Sequence, residues 1–371
     1  MPKIVPFNDL NRIHNPIEKK IINKFTKIVK TNSFVLNKEI KEFEDKFSEF
    51  SNSKFTVSCA NGTDAIELIL RGLEIGVGDE VIIPTNSYIA TAYAVSRTGA
   101  KPVFVDNDDF YLIDTTKIQK RISNKTKAII AVNLYGQKAD LKKLAKIAKQ
   151  NSIYLIEDSA QSHGAFNSKL KSNYSIGAAY SFYPGKNLGA WGDGGAVTTN
   201  NKQLYEKIML LRNQGSIKKY IHPEIGFNSR LQPLQGIVLS EKIKKLELWN
   251  NLRSEVAGIY FEKLQSIGSI SLPKIMDGNS HVWHLFVIRT KFRTKILNDF
   301  DSHKVEFGIH YPIPIHLQPA SKFLGYKKGA FPMTERQSKR ILSLPIHQDL
   351  KKLEIVYICK TIKEFYNKKK Y

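Results

Sequence analysis

Between residues 80 and 200 the chain alternates short apolar runs with longer amphipathic ones. "EVIIP" (80–84), "KPVFVD" (101–106), "KAIIAVNLYG" (127–136), "IYLIED" (153–158), "AAYSFYP" (178–184) and "GAVTTN" (195–200) are apolar at most positions. Such runs predict strands covered on both faces. "YIATAYAVSRTGA" (88–100), ending at Gly99, and "KADLKKLAKIAKQN" (138–151) read as the helices between them. The alternation predicts an α/β fold built on a mostly parallel sheet. Ligands of such sheets sit beyond the carboxyl ends of the strands, which singles out Asp158, Ser181 and the loop after Pro184. Upstream, the strand "FTVSC" runs into "CANGTDAIELILRGLE" (59–74), a helix opened by Gly62 and Thr63.

Past residue 230 the pattern changes. "RLQPLQGIVLSEKIKKLELWNNLRSEVAGIYFEKLQSI" has apolar residues at helical spacing and predicts one or two long helices. From about residue 270 shorter strands and helices follow, including "HVWHLFVIRT" and "VEFGIHYPIPIH". A boundary near residue 250 divides the chain into a large domain with an N-terminal segment (1–250) and a smaller C-terminal α/β domain (251–371). No internal repeat or low-complexity linker is visible.

Composition narrows the functional classes. A chain of 371 residues is long enough for two packed domains. It has no run of 18 apolar residues to span a membrane, and its N-terminus lacks the apolar core and cleavage site of a secretory signal. Cys59 and Cys359 form no CxxC pair, so neither a disulfide framework nor a thiolate zinc site is expected, and a reduced cytoplasmic setting fits best. The net charge of +23 raises the question of nucleic acid. The lysines are spread along the chain, however, and the densest run, "NKKKY", is a C-terminal tail without any nucleic-acid signature. A broadly basic surface suits an anionic small substrate such as a nucleotide sugar.

The candidate chemistry lies in "SFYPGKNLGAWGDGGA" (181–196), where Lys186 sits among five glycines between Gly185 and Gly195. Only a neutral amine attacks a carbonyl, and partial burial at a strand end favours that form. A surface lysine in a glycine-rich hairpin is the plainer reading. Asp158 ends "IYLIED" and could bind a metal, act as a base, pair with a protonated ring nitrogen, or merely cap a helix. Its place 28 residues before Lys186 favours the third role. A strand-end carboxylate with a later lysine is what pyridoxal phosphate requires, the first for the pyridine nitrogen and the second for the aldehyde. The helix opened by Gly62 and Thr63 offers backbone N–H groups and its dipole to a phosphate, although an ordinary helix capped by Asn61 or Thr63 would look the same. Asp64 is expected to support the first turn. No GxGxxG or P-loop pattern is present.

These residues carry a resemblance. "NGTDA…GDEVIIPTNSYIATA", "IEDSAQSHGA", "SFYPGKNLGAWGDGGAV", "GFNSRLQPLQ" and "IHYPIPIHLQP", in that order and across essentially the whole chain, resemble the DegT–DnrJ–StrS sugar aminotransferases. These are pyridoxal phosphate (PLP) enzymes of fold type I, the aspartate aminotransferase-like class. The resemblance implies Lys186 as Schiff-base lysine and proton shuttle, Asp158 on the ring nitrogen, Gln161 on the ring hydroxyl and Tyr88 stacked on the ring. It implies Gly62, Thr63 and Ser181 at the phosphate, joined by Asn228 from the neighbouring subunit of a homodimer. Tyr183, His310 and Tyr311 would line the sugar pocket. Gln232 departs from the family, which usually has an acidic residue there. No metal is implied.

"FYPGKNLGA" with "GIHYPIP" is most similar to members that aminate carbon 3 of a dTDP-linked 3-keto-6-deoxyhexose, with glutamate as amino donor. Amination at carbon 4 is the first alternative. A dehydratase would carry histidine in place of Lys186. A regulatory protein that keeps the cofactor pocket without turnover is the alternative from another class, and a DNA-binding form would need an added winged-helix segment.

Overall fold

The computed structural model describes residues 4–166 and 174–368. Seven strands form the main sheet: β1 (Phe55–Cys59), β2 (Glu80–Pro84), β3 (Lys101–Val105), β4 (Thr126–Val132), β5 (Tyr154–Asp158), β6 (Gly177–Ser181) and β7 (Gly195–Thr199). Their spatial order is β1-β7-β6-β5-β4-β2-β3. Pairing is parallel from β3 through β2, β4 and β5 to β6, while β7 runs antiparallel to both its neighbours. The mixed α/β architecture with a largely parallel sheet is thus the expected one.

Near-continuous apolar strands serve this sheet because alternate side chains reach opposite layers. Val81, Ile83, Ala128, Ile130 and Ile156 pack on one face with Ile66 and Ile69 of the helix Gly62–Gly72. Ile82, Ile129, Ala131 and Leu155, one position out of step, pack on the other with Leu144 of the helix Leu141–Gln150. A buried ion pair ties the first strand into this body: Arg212 meets Glu44 and donates to the Ser58 carbonyl at 2.7 Å.

The helical stretch after residue 230 is broken by a 3₁₀ turn at Ile243–Lys245 into helices Pro233–Lys242 and Leu246–Leu264. Leu246 packs with Phe43 and Phe47, whereas Val256 and Tyr260 belong to a separate core with Phe286, Ile288, Phe300 and Ile358. That second core covers a three-stranded antiparallel sheet, β10-β9-β8, of β8 (Ile270–Ser271), β9 (Phe286–Thr290) and β10 (Ile341–Leu344). Val5 lies in this core too, bonded to Lys304 and Glu306 at 2.9 Å each, so the N-terminal segment returns to the C-terminal part.

Two stretches differ from a regular-element reading. In "HVWHLFVIRT" only Phe286–Thr290 forms a strand. "VEFGIHYPIPIH" makes isolated bridges at Val305 and Gly308 before a 3₁₀ turn at Ile315–Leu317. The C-terminal helix ends at Lys368, and residues 369–371 of the "NKKKY" run lie outside the described residues. Among the described residues no helix is long and apolar enough to cross a membrane.

Candidate active site

At the carboxyl edge of the main sheet a pocket of about 770 Å³ opens, and every expected site residue except Asn228 lines it. The loop from Phe182 to Gly194 presents Lys186. Its ends are joined by Phe182 N–H to Gly194 O at 2.7 Å, and it folds on itself through Lys186 N–H to Tyr183 O at 2.9 Å and Ala190 N–H to Phe182 O at 2.8 Å. A Cβ at Gly189 would stand 2.2 Å from the Pro184 carbonyl oxygen, so only glycine fits this fold-back. The glycine-rich stretch is therefore a tight bracket for the lysine and not an exposed hairpin.

The Lys186 amine has no hydrogen-bond or ion-pair partner among the described residues. Burial lowers its pKa to about 8, with the charge of Asp158 opposing the shift. The shift raises the fraction of neutral amine at a given pH, the form that attacks a carbonyl. The shift also has a consequence for stability. In the cofactor-free protein the folded pKa is below the ordinary 10.5, so the unfolded chain binds more protons between about 8 and 10.5. Stability gains as pH rises through that window, and the penalty is fully present below it. Lys186→Met should accordingly stabilise the cofactor-free protein at pH 7, by on the order of 2 kcal/mol, and lose that advantage near pH 10.5. Thermal melts of both proteins across this range provide the check, and an equal shift at both ends would contradict it.

Asp158, the last residue of β5, is buried. Its Oδ2 accepts from Thr91 Oγ1 at 2.8 Å and its Oδ1 from Ala160 N–H at 3.2 Å. Burial raises its pKa, against the lowering effect of those two bonds and of Lys186. A desolvated carboxylate of this kind gains by pairing with a cation, and a protonated ring nitrogen would supply one. Gln161 is held between Tyr135 N–H, from which it accepts at 2.8 Å, and the Tyr311 hydroxyl, to which it donates at 3.1 Å. Tyr88 is 56% exposed, with its ring 5.5 Å from that of Tyr311, leaving an aromatic face free at the pocket.

The anion cradle forms where β1 turns into the helix Gly62–Gly72. Asn61 caps the helix, accepting from Asp64 N–H at 2.9 Å. The Gly62 and Thr63 N–H groups have no partner among the described residues, and the helix dipole favours negative charge there. A Cβ on Gly62 would meet the Ser181 Cβ at 2.7 Å, so glycine lets the Ser181 hydroxyl reach the cradle. Asp64 points elsewhere, accepting from Ser229 at 2.7 Å and pairing with Arg97 at 3.2 Å.

Tyr183 is 60% exposed at the mouth. His310 binds Ser343 Oγ at 2.8 Å through Nδ1, and burial lowers its pKa to about 4. Asn228 lies outside the pocket, exposed, accepting from its neighbour Arg230 at 2.9 Å. Gln232 is exposed and makes no capping bond.

Sequence reasoning missed Thr91, the N-terminal residues Phe7, Asn8 and Leu10, and His284, all of which line the pocket. Thr91 stands three positions after Tyr88, a spacing that could have revealed it. The others carry no local signal.

PLP is not part of the structure, but the residues present fit it. A lysine of lowered pKa, a buried carboxylate, an exposed aromatic face and a helix-start anion cradle share one pocket, matching an aldehyde, a pyridine nitrogen, a ring and a phosphate. Among the described residues no cluster of three or more ligating side chains could hold a metal.

Comparison with known proteins agrees with this chemistry. A dTDP-3-amino-3,6-dideoxy-alpha-D-galactopyranose transaminase of Aneurinibacillus thermoaerophilus is 41% identical over 98% of this chain and 99% of its own. A pleiotropic regulatory protein of Geobacillus stearothermophilus is 39% identical over 98% of both chains. The crystal structure of S. venezuelae DesV superposes with a TM-score of 0.95 at 36% identity, over 98% of this chain and 99% of that one. The sequence pattern of the DegT/DnrJ/EryC1/StrS aminotransferase family matches residues 15–363, and the chain belongs to that family.

Proposed function

We propose that the protein transfers the amino group of glutamate to carbon 3 of a dTDP-linked 3-keto-6-deoxyhexose. The observation that carries this reading is the Lys186–Asp158 pair in one pocket with an anion cradle. The similarity to a dTDP-3-amino sugar transaminase supports the choice of substrate. PLP, when bound, supplies the aldehyde that accepts the amino group and the ring that takes up electrons. Gly62, Thr63 and Ser181 hold the phosphate, Tyr88 covers the ring, Gln161 takes the ring hydroxyl and Asp158 keeps the pyridine nitrogen protonated. The Lys186 Nζ would take up and return the proton that leaves the substrate carbon. Tyr183, His310 and Tyr311 set the rotation of the hexose, so that carbon 3 faces the lysine. A misplacement of about 1 Å at this point costs on the order of a hundredfold in rate.

The test supplies each of a dTDP-3-keto- and a dTDP-4-keto-6-deoxyhexose together with glutamate and locates the new amine by NMR. Amine on carbon 3 is expected. Faster formation on carbon 4 would move the assignment to that carbon, and no amine on either sugar would favour a regulatory role.

In this reading residues 1–250 form the cofactor domain and residues 251–371 a smaller one, the setting is cytoplasmic, and the working unit is a homodimer. Asn228 then reaches the neighbouring subunit's phosphate. The segment that precedes it in the chain carries Ile217, Tyr220 and Ile225, whose exposures of 66%, 83% and 96% leave apolar surface for a second copy. Mixing Asn228→Ala with Lys186→Ala protein is expected to restore activity, because one site of each mixed dimer carries both native residues. A verified heterodimer of two impaired parents with no recovery would contradict the shared site.

A further inference from the structure

His284 lines the pocket and has no role in the reaction described above. Its Nδ1 lies 3.3 Å from Oδ1 of Asn187, the residue after Lys186. The amide of Asn187 can face only one way. Its Nδ2 donates to the Val282 carbonyl at 2.7 Å and to Asn250 Oδ1 at 2.8 Å, and a main-chain carbonyl only accepts. Asn250 is fixed in turn by donating from Nδ2 to the His163 carbonyl at 2.9 Å. Asn187 therefore offers an acceptor to His284, and the proton must sit on Nδ1.

Burial, with Lys186 and Arg253 nearby, holds the His284 pKa well below its ordinary value. The ring is neutral, carries one proton, and keeps a bare lone pair on Nε2. Among the described residues that nitrogen has no hydrogen-bond partner. A bare acceptor in a substrate pocket does not bind a ketone or a carboxylate. It binds a hydroxyl or an ammonium group. The amino donor must shed its proton to react, and a second ammonium beside Lys186 would be repelled. His310 lines the same pocket.

We propose that His284 is a substrate-positioning residue whose Nε2 accepts a hydrogen bond from the sugar hydroxyl next to the carbon that is aminated. This rests on the sugar aminotransferase reading above. The hydroxyl is thereby fixed relative to Lys186 through the Asn187 frame, so the lysine and the sugar share one reference point.

The two half-reactions of the holoenzyme, followed separately by cofactor absorbance, test this with His284→Leu and His284→Gln. In the leucine variant kcat/KM for the keto sugar should fall about tenfold or more, the worth of one well-aligned hydrogen bond, while the glutamate half changes less than about threefold. The glutamine variant, which can bring an amide oxygen near the position of Nε2, should recover most of the loss. Equal loss in both halves with no recovery by glutamine would reduce His284 to a structural role, and loss confined to the glutamate half would assign the nitrogen to the amino donor. Either result overturns the proposal. A wild-type enzyme that completes the glutamate half but aminates no sugar would instead overturn the sugar reading itself. Independently of turnover, ¹⁵N NMR of the cofactor-free protein, with the His284 signals assigned by their loss in the glutamine variant, should show the proton on Nδ1. A proton on Nε2 would contradict the argument.

Discussion

Lys186→Ala is expected to abolish transamination, with turnover reduced by a thousandfold or more. Two losses combine. In the proposed function the amine that holds the cofactor's aldehyde is gone, and so is the base that moves the proton, a step worth about 10²–10⁴ in rate on its own. Neither His310 nor His163 can replace it. His310 is neutral and occupied at Nδ1 by Ser343, and His163 is buried behind Tyr180 and Phe182. The fold should survive, because the Lys186 amine has no partner to lose and the bracket is closed by backbone bonds. Single-turnover kinetics with glutamate, beside circular dichroism and a thermal melt, separate the two effects. Turnover within about tenfold of wild type would remove Lys186 from the reaction.

Asp158→Asn follows in size. The variant keeps the shape of the side chain and can still accept from Thr91, so the end of β5 should remain folded. It loses the negative charge that, in the proposed function, keeps the ring nitrogen protonated. A buried charge facing a developing charge is among the largest single contributions to catalysis, and a loss of about a thousandfold is the scale to expect. Because burial already raises the Asp158 pKa, removing the carboxylate also removes a desolvation penalty, so the cofactor-free variant should melt no lower than wild type. Near-normal turnover would show that Asp158 is not the partner of the ring nitrogen.

The framework of the main sheet was legible because each strand is short, apolar on successive residues, and bounded by glycine or polar residues. β1 and β2 occupy the stretches read from the sequence, and the other strands end within a few residues of theirs. The site was legible where chemistry is concentrated locally: Lys186 in a loop with a sterically required glycine, Asp158 at a strand end, Gly62 against Ser181. What escaped depends on distant parts of the chain. Phe7 and Asn8 reach the pocket only because Val5 is pinned to Lys304 and Glu306, about three hundred residues away. His284 looks like one more residue of the strand that follows, and its meaning comes from Asn187, Asn250 and Val282 together. "VEFGIHYPIPIH" has apolar residues but almost no ladder partners, because it crosses between the two sheets to line the site. Asn228 acts, in the proposed function, on another chain, which no single-chain pattern displays.

The most direct test of the account is to trap the cofactor where it sits. The purified holoprotein should be yellow, and borohydride should abolish that absorbance while fixing the cofactor covalently to the protein. Peptide mass mapping is then expected to find it on Lys186, within the "SFYPGKNLGAWGDGGA" stretch. Modification of a different lysine, or no covalent attachment by a protein that retains its cofactor, would contradict the assignment on which the mechanism rests.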